Sequence, residues 1–301
     1  MRYSLSLPVS RVERGDEFIS AQGIREMAAA AEEAGFDACS VSEHPLPPTA
    51  WLESGGHHTL DPLVALSLVA AATQRIHLHT GVWVLPYRNP FMGASALASL
   101  DAASGGRVIA GVGAGYLEAE FRALGADFVN RNEVSDTAIV EMKRAWSGEA
   151  IVIEGENHRL RPLPTSRPHP PLWVGGNSRR AIRRAVDHGD GWMPFPNAAS
   201  VSTRTRTPKL ETLDDLAERI DYLREYSEEV GRRQPLDICF VPFGRRSDSK
   251  EGFEVESFQK QVAELEVMGV TWLLISLPGE DRRAFCDWIR FFCDQIIRPL
   301  G

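Results

Sequence analysis

Cysteine is scarce in this chain, whose 301 residues include only Cys39, Cys239, Cys286 and Cys293. No two of them form a CxxC pair, so the sequence indicates no disulfide framework, and buried, reduced thiols are expected. The chain also lacks an apolar run of the roughly 18 residues that a membrane span requires. Its opening segment, residues 1–8, is too short and too polar for a signal peptide, so we expect a cytoplasmic protein.

An excess of positive charge is absent as well. Lysine and arginine total 33 against 41 aspartates and glutamates, which gives a formal net charge of -8. This balance excludes a general nucleic-acid or anionic-membrane surface. Hydrophobic residues make up 43% of the chain and charged residues 25%, as in ordinary globular proteins. We therefore expect no nucleic-acid or membrane partner. The partners that we expect are a small-molecule substrate and a second copy of the chain in a homodimer.

Short apolar runs alternate with helical patterns along the chain. The eight runs are Tyr3–Leu7, Ala38–Val41, Ile76–Val84, Arg107–Gly111, Leu172–Gly175, Gly191–Met193, Leu236–Val241 and Trp272–Ser276. Such runs are typical of parallel strands that are covered on both faces. Eight strand–helix alternations predict a (β/α)8 TIM barrel of the α/β class, with a doubly wound sheet as the alternative. We expect residues 1–301 to form one barrel domain with insertions.

Four stretches interrupt this alternation: Pro45–Leu60, Gly125–Asp136, Ile151–Pro170 and Phe195–Leu210. The first directly follows a predicted strand, which assigns it to the catalytic face of a barrel. It contains Trp51, two adjacent glycines and two adjacent histidines, a composition that suits a mobile lid. A plain surface loop is the alternative.

The second predicted strand is followed by Glu43 and His44. Residues at the carboxyl ends of barrel strands face the region where these barrels carry their active sites. Histidine gives or takes a proton near neutral pH, so His44 is the candidate catalytic acid or base. The alternative is a structural histidine that is hydrogen-bonded to a backbone carbonyl.

Glycines mark the third and fourth strands. Gly81, inside the third, indicates a bulge or the close approach of a flat ring, although a barrel bend explains one glycine equally well. Gly111, Gly113 and Gly115 alternate at the end of the fourth strand and expose backbone N–H groups. They do not form a dinucleotide-binding fingerprint, because the GxGxxG pattern requires a glycine where Tyr116 stands.

The fifth strand ends in a second candidate binding segment. Gly175, Gly176, Asn177 and Ser178 precede the arginine-rich stretch Arg179–Arg184. Ser178 suits the N-cap of a helix, and a glycine pair at a helix start is a ready anion site to which the arginines add positive charge. The segment therefore predicts a phosphate site, and a solvated basic helix face is the alternative.

A histidine pair suggests a metal site only weakly. His77 and His79 alternate on one strand, which places them on one face, and two histidines in that arrangement can bind zinc. They lie near the start of the strand, away from the barrel mouth, and no third ligand is evident. We therefore predict no metal.

Two stretches carry a series of motifs in a fixed order. Residues 78–121 contain Thr80-Gly81-Val82, Leu85-Pro86, Arg88-Asn89-Pro90, Leu100-Asp101, Ser104-Gly105-Gly106-Arg107 and the glycine-rich segment 111–115. Residues 170–192 contain Pro171-Leu172-Trp173-Val174 followed by 175–178, and Gly189-Asp190-Gly191-Trp192. Over about residues 1–195 the chain thus resembles the luciferase-like superfamily, with the bacterial luciferase-like monooxygenase fold, and most of all its branch of F420-dependent oxidoreductases.

The resemblance implies a coenzyme site. In that family the third strand carries a bulge with a non-proline cis peptide behind the deazaflavin ring, and the matching bond here is Gly81–Val82. The family's coenzyme-binding turn after the fourth strand falls on Gly113 and Gly115. Its phosphate-binding turn falls on Gly175–Ser178. These residues are the cofactor site that the resemblance implies.

The resemblance also places an acidic residue and a histidine after the second strand, at Glu43 and His44. It implies catalysis by His44 and coenzyme contact by Glu43. A related sugar-phosphate dehydrogenase has a catalytic glutamate where Tyr116 stands here, and its basic sites for substrate phosphate have no match. That enzyme's substrate is therefore not implied.

The expected function is hydride transfer between the coenzyme F420 and a small organic substrate, with the protein supplying protons. An FMN-dependent luciferase-like monooxygenase is the alternative, as is a non-catalytic flavin-binding protein, and a metal-dependent hydrolase rests only on the histidine pair. The candidate substrate pocket consists of Trp51, Trp83, Tyr116 and Trp192, each of which is equally compatible with core packing.

Overall fold

A computed structural model describes residues 1–244 and 249–300. The strands are β1 (Arg2–Ser6), β2 (Ala38–Val41), β3 (His77–Thr80), β4 (Trp83–Val84), β5 (Val108–Gly113), β6 (Ile151–Ile153), β7 (Glu156–His158), β8 (Leu172–Gly175), β9 (Gly191–Met193), β10 (Asp237–Phe240) and β11 (Trp272–Ile275). The α-helices are α1 (Ala21–Ala34), α2 (Thr49–Glu53), α3 (Pro62–Ala72), α4 (Pro90–Ser104), α5 (Glu118–Ala123), α6 (Arg131–Trp146), α7 (Arg179–His188), α8 (Ala199–Thr205), α9 (Leu213–Glu229), α10 (Val255–Met268), α11 (Arg282–Phe292) and α12 (Arg298–Leu300).

The parallel strands close into a barrel. β1 pairs with β2 on one side and with β11 on the other, and the sheet continues through β10, β9 and β8 to β5. Both β3 and β4 pair with β5, Leu78 opposite Val108 and Trp83 opposite Val112, so they are two halves of one barrel strand. The predicted (β/α)8 barrel is confirmed, with eight strand positions around the closed sheet.

The third barrel strand is interrupted where glycine was noted in the sequence. The peptide bond Gly81–Val82 is cis, as the family resemblance implies. The predicted run Ile76–Val84 therefore appears as two strands. The fourth strand extends to Gly113, two residues beyond its predicted end, because Gly113 still pairs with Val84.

Local signals set the starts of two helices that cover the barrel. The Asp61 side chain accepts hydrogen bonds from the N–H groups of Leu63 and Val64, and Asn89 caps α4 in the same way. Each is followed by a proline at the first helical position, where a missing N–H costs nothing. Capping residue and proline together mark both helix starts in the sequence itself, and these caps fix where each helix leaves the barrel mouth.

The inside of the barrel is filled by its own cluster of side chains: Ala38, Ile109, Trp173, Met193, Cys239 and Trp272, with Val82 and Leu274 packed against it. His79 is fully buried among them, with its Nδ1 3.0 Å from Ser4 Oγ and its Nε2 3.1 Å from Met193 Sδ. Burial lowers the pKa of His79 to about 3. His79 is therefore a neutral core residue, and the described residues contain no cluster able to hold a metal ion.

The four interrupting stretches hold short elements of their own. The first contains α2, the third contains the hairpin β6–β7, and the last contains α8 and a bridge between Asn197 and Leu210. The second runs into α6, which begins at Arg131. Across residues 1–244 and 249–300, every helix is too short or too polar to cross a bilayer.

Candidate active site

His44 lies at the barrel mouth in contact with a buried carboxylate. Its Nδ1 is 3.1 Å from Oε2 of Glu120, whose side chain has no solvent exposure. The same Oε2 accepts a hydrogen bond from the Tyr87 hydroxyl at 2.9 Å, and Oε1 accepts one from the Leu46 N–H at 3.0 Å. Elements that follow three different barrel strands thus meet at Glu120.

These contacts keep Glu120 ionised. Burial by itself raises the pKa of this carboxyl, but the contacts with His44 and the hydrogen bonds from the Leu46 N–H and Tyr87 outweigh it, so that the pKa is lowered. The negative charge in turn adds to burial in raising the pKa of Tyr87, which stays protonated. A carboxylate only accepts hydrogen bonds, so Nδ1 of His44 carries the hydrogen and Nε2 is left as the acceptor of the neutral ring.

Glu120 was missed in the sequence because Tyr116 occupies the position in this chain that matches the catalytic glutamate of the sugar-phosphate dehydrogenase. The available signal was a glutamate beside Phe121 on a short helix that follows the fourth barrel strand. Both residues are buried, and a buried glutamate at a strand end requires a partner.

Aromatic side chains surround the imidazole of His44. The Trp51 ring centroid lies 4.5 Å away, that of His57 5.1 Å away and that of Tyr116 6.2 Å away. Trp51 and His57 belong to the insertion after β2, and this insertion is held across the mouth by Arg204 of α8, which donates to the Ser54 carbonyl at 3.3 Å. The insertion therefore covers His44, as the predicted lid would.

Glu43 points to the other side and serves a different purpose. Its Oε2 accepts a hydrogen bond from the Val84 N–H at 2.6 Å, and its Oε1 pairs with the Arg88 guanidinium. Arg88 also lies over the Trp83 ring, 3.8 Å from its centroid. Both carboxylate oxygens are thus occupied by the segment after the Gly81–Val82 bond, so Glu43 holds that segment in place rather than offering a free contact to a coenzyme.

Two glycines leave space around one side chain. A Cβ on Gly175 would lie 2.8 Å from Cγ1 of Val82, and a Cβ on Gly113 would lie 3.1 Å from its Cγ2. A Cβ on Gly81 would collide with the Ser40 hydroxyl. Val82 therefore projects into a recess that only glycine leaves open, and we call Gly81, Val82, Gly113 and Gly175 the valine shelf.

Gly115 follows the shelf with a positive φ of 74°, which favours glycine. A Cβ there would lie 2.6 Å from the Phe121 ring and 2.7 Å from Val84. Its carbonyl accepts a hydrogen bond from Nε of Arg131 at 3.2 Å. The tight turn thus brings one arginine to the end of the fourth strand.

The segment after the fifth strand differs from the prediction in two ways. The Asn177 side chain bonds to both backbone groups of Phe195 and to the Pro208 carbonyl, and its N–H donates to Thr207 Oγ1 at 3.0 Å. Asn177 therefore fastens the 195–208 insertion and is not free for a phosphate. The N–H of Gly176 is also used, by the Met193 carbonyl.

The arginines of α7 do not add charge to a phosphate site. Arg180 and Arg184 pair with acidic residues of α6, among them Asp136. Arg179 and Arg183 lie over the Tyr222 ring of α9. They tie α7 to its two neighbours. The anion-binding groups that remain are the first-turn N–H groups other than that of Ala181, which donates to the Ser178 side chain.

Two of the four candidate pocket aromatics lie in the core. Trp192 is fully buried and donates to the Gly176 carbonyl at 2.8 Å, and Trp83 is 2% exposed beneath Arg88. Their large apolar rings fill space between barrel and helices. Trp51 and Tyr116 are the two that remain half-buried beside His44.

Known proteins resemble the chain over most of its length. It is 32% identical to the F420-dependent glucose-6-phosphate dehydrogenase of Nakamurella multipartita, over 92% of this chain and 85% of that protein. It is 30% identical to the FMNH(2)-dependent dimethylsulfone monooxygenase of Pseudomonas putida, over 59% and 49% of the two chains. The coenzyme F420 dependent tetrahydromethanopterin reductase of Methanopyrus kandleri shares its fold, with a TM-score of 0.74, 15% identity and coverage of 100% and 99%.

The sequence profile of the luciferase-like monooxygenases matches residues 1–245, well over half of the chain. The match includes β1 to β10 and with them His44, Glu120 and the valine shelf. The chain belongs to the luciferase-like monooxygenase family.

Proposed function

We propose that the chain is an F420-dependent oxidoreductase that transfers a hydride between the deazaflavin and a small organic substrate. The observation that carries the proposal is the His44–Glu120 pair at the barrel mouth, with Nε2 of His44 left open for a substrate proton. The coenzyme is supported by the relative from Nakamurella multipartita, which aligns over 92% of the chain, whereas the FMNH(2)-dependent relative aligns over 59%.

The residues at the mouth fit such a coenzyme. A planar ring needs a surface that approaches the backbone closely, and the valine shelf suits one because Gly113 and Gly175 let Val82 pack directly against the backbone. A phosphate suits the α7 N-terminus, whose first N–H groups and helix dipole favour an anion. When bound, F420 supplies the carbon that gives or accepts the hydride.

The remaining chemistry belongs to side chains of this protein. Glu120 fixes the hydrogen on Nδ1 of His44, so that Nε2 takes the proton from a substrate hydroxyl and, in the reverse direction, returns it to a carbonyl oxygen. Glu120 also stabilises the positive charge that His44 acquires. Trp51 and the rest of the insertion exclude water from the imidazole. In this proposal Glu43 positions the shelf through Val84 and Arg88.

A luciferase-like monooxygenase that uses FMN is the second candidate, favoured by the 30% identity to the FMNH(2)-dependent relative. The shelf and the helix terminus suit the ring and the phosphate of either coenzyme. A flavin-binding protein without turnover has the same geometry at the shelf, but it has no use for a carboxylate-oriented histidine with an open Nε2.

Coenzyme preference tests the proposal. We expect the protein to bind F420 more tightly than FMN by at least about 1.4 kcal/mol, a factor of ten. Fluorescence titration of the purified protein with each coenzyme measures both dissociation constants. Equal affinities, or tighter binding of FMN, would favour the monooxygenase.

A variant of the shelf tests, in the same titration, whether the ring of the coenzyme lies there. Gly175→Ala places a methyl group 2.8 Å from Val82 Cγ1, so F420 affinity should fall by roughly tenfold. Val82→Ala in the same chain removes the crowded methyl groups and should restore part of the affinity. If Gly175→Ala binds F420 as the native protein does, the ring lies elsewhere.

Glu120→Gln tests the positioning of His44. Glutamine keeps the size of the side chain but cannot accept from His44, Tyr87 and Leu46 together, because one of its two polar atoms is a donor. Loss of one charge-assisted hydrogen bond should lower kcat roughly tenfold and leave the F420 dissociation constant unchanged. The limb of the pH–rate profile that reports the histidine should move to lower pH, because the imidazolium loses its carboxylate.

Stability in acid gives a second readout for the same variant. The folded-state pKa of Glu120 is lowered, so its contribution to stability is present above the ordinary glutamate pKa and is lost as the pH falls through the folded-state value. Urea unfolding of Glu120→Gln should therefore depend less on pH in the acidic range than that of the native protein. If Glu120 had only a structural role, the limb of the pH–rate profile that reports the histidine would not move in Glu120→Gln. That result would contradict the positioning role.

We further propose that residues 1–301 act as one barrel domain, that the protein is a homodimer and that it works in the cytoplasm. The pairing of β1 with β11 supports the first point, because the barrel closes through both ends of the chain. Val64 of α3 and Met92 of α4 are 59% and 71% exposed on adjacent helices, which suits a subunit contact. The four buried, free cysteines suit a reducing compartment.

A further inference from the structure

A cavity of about 410 Å³ opens where β9, β10 and β11 end, on the part of the barrel mouth that is formed after residue 190. Its walls include Phe195, Val241, Phe243, Leu274, Ser276 and Leu277. The carboxyl ends of the strands form the functional face of such barrels, and cavities of roughly 300–1,000 Å³ are typical of small-molecule sites. The cavity is therefore in the right place and of the right size for a substrate.

The chemistry of the lining is apolar. Among the described residues that form it there is no lysine, arginine, aspartate or glutamate. Its side-chain polar groups are the Ser276 hydroxyl and the Trp288 indole N–H. On the neighbouring loop, Arg11 donates to the Gly279 carbonyl and is already engaged. Among these described lining residues a phosphate dianion would find no cation to replace its lost hydration, which is costly.

Leu274 lies between the cavity and the interior of the barrel. It lines the cavity, and it packs on the same barrel-interior cluster as Val82 of the valine shelf. Met193, a member of that cluster, lies 3.9 Å from a Cβ built on Gly175. A molecule whose apolar part occupies the cavity would therefore lie against the cluster on which the shelf also packs.

We propose that this cavity binds the apolar part of the substrate, and that the substrate is an uncharged alcohol or the matching ketone rather than a phosphorylated sugar. This inference rests on the proposed function. Oxidation of the alcohol breaks one C–H and one O–H bond: the hydride passes to the deazaflavin coenzyme, the proton passes to Nε2 of His44, and the carbon–oxygen bond becomes a carbonyl. On the side of the cavity formed by the ends of the barrel strands, the polar side-chain group is the Ser276 hydroxyl.

Ligand binding to the full chain tests the cavity without turnover. Benzylacetone, an uncharged aromatic ketone, and glucose 6-phosphate are titrated separately, and binding is followed by saturation-transfer NMR of the ligand. We expect benzylacetone to bind and glucose 6-phosphate not to bind. Val241→Phe fills the cavity from its wall and should weaken benzylacetone at least tenfold, whereas Val140→Phe, on an exposed face of α6, should leave it unchanged.

Phe243→Ala keeps the test decisive if Val241→Phe does not fold, which circular dichroism would reveal. Removing this aromatic wall should also weaken benzylacetone by about tenfold. Unchanged ketone binding in the folded cavity variants, or binding of glucose 6-phosphate in place of the ketone, would overturn the proposal. The F420 titration is independent: its failure would refute the coenzyme while the ketone data still decide the cavity.

Discussion

Replacement of His44 by asparagine should lower kcat by about two orders of magnitude or more, because a general acid–base residue contributes roughly 10²–10⁴ in rate. Asparagine has a similar size and keeps hydrogen-bonding atoms near Nδ1, so it can still contact Glu120, but it does not titrate. Stopped-flow measurement of coenzyme reduction and oxidation with saturating substrate gives the rate. The pH profile should lose the limb that belongs to the histidine.

Coenzyme affinity separates this role from a binding role. His44 contacts Glu120 and the aromatic rings of the insertion, and the valine shelf lies on other strands, so the F420 dissociation constant of His44→Asn should stay within about twofold of the native value. His58→Asn, an exposed histidine of the same insertion, is the matched control and should retain full activity. Loss of affinity with kcat preserved would assign His44 to binding and direct attention to Tyr116 or a water as proton donor.

Replacement of Glu43 by glutamine should reduce the free energy of unfolding by about 3 kcal/mol, the lower end of the cost of breaking a buried ion pair. Glu43 is 3% exposed and neutralises Arg88, which lies on Trp83. Glutamine can still accept from the Val84 N–H but leaves the guanidinium without its counter-ion. Urea unfolding, followed by tryptophan fluorescence, measures the loss.

A second substitution distinguishes a lost ion pair from a general disturbance. Arg88→Met in the Glu43→Gln chain removes the unpaired cation and should recover part of the lost stability, so the two effects should not add. Glu53→Gln, an exposed position on α2, should change stability by less than about 0.5 kcal/mol. Additive effects of the two substitutions would mean that the pair contributes no coupling. If the Glu43→Gln protein had native stability, the ion pair between Glu43 and Arg88 would not stabilise the fold.

Glu43 and His44 are neighbours in the sequence but have different roles. Both follow β2, and adjacent residues at a strand end point to opposite sides. Glu43 turns toward β4 and Arg88, whereas His44 turns toward Glu120 on α5. The adjacent pair that the sequence offered as one unit is therefore two separate devices, one structural and one available for proton transfer.

The sequence by itself determined the barrel, the family, the helix starts at Asp61 and Asn89 and the special peptide at Gly81–Val82. These features are carried by local signals: apolar runs long enough for a buried strand, capping side chains before proline, and motifs whose order fixes the family. Strand ends differed by one or two residues, because the pairing partner decides where a strand stops. His44 was reachable because its position at a strand end is itself a local property.

Only the tertiary structure decided which groups are free and which are occupied. Glu120 lies 76 residues from His44 in the chain, and the two meet because the helix after β5 returns over the barrel mouth. The same holds for Asn177, whose hydrogen-bonding atoms are taken by residues 18 to 31 positions away, and for Arg184, which turns to Asp136 on α6. Residue type tells which bonds a side chain is able to form, but the choice among partners depends on distances of about 3 Å between segments remote in sequence, and these exist only once the barrel has closed.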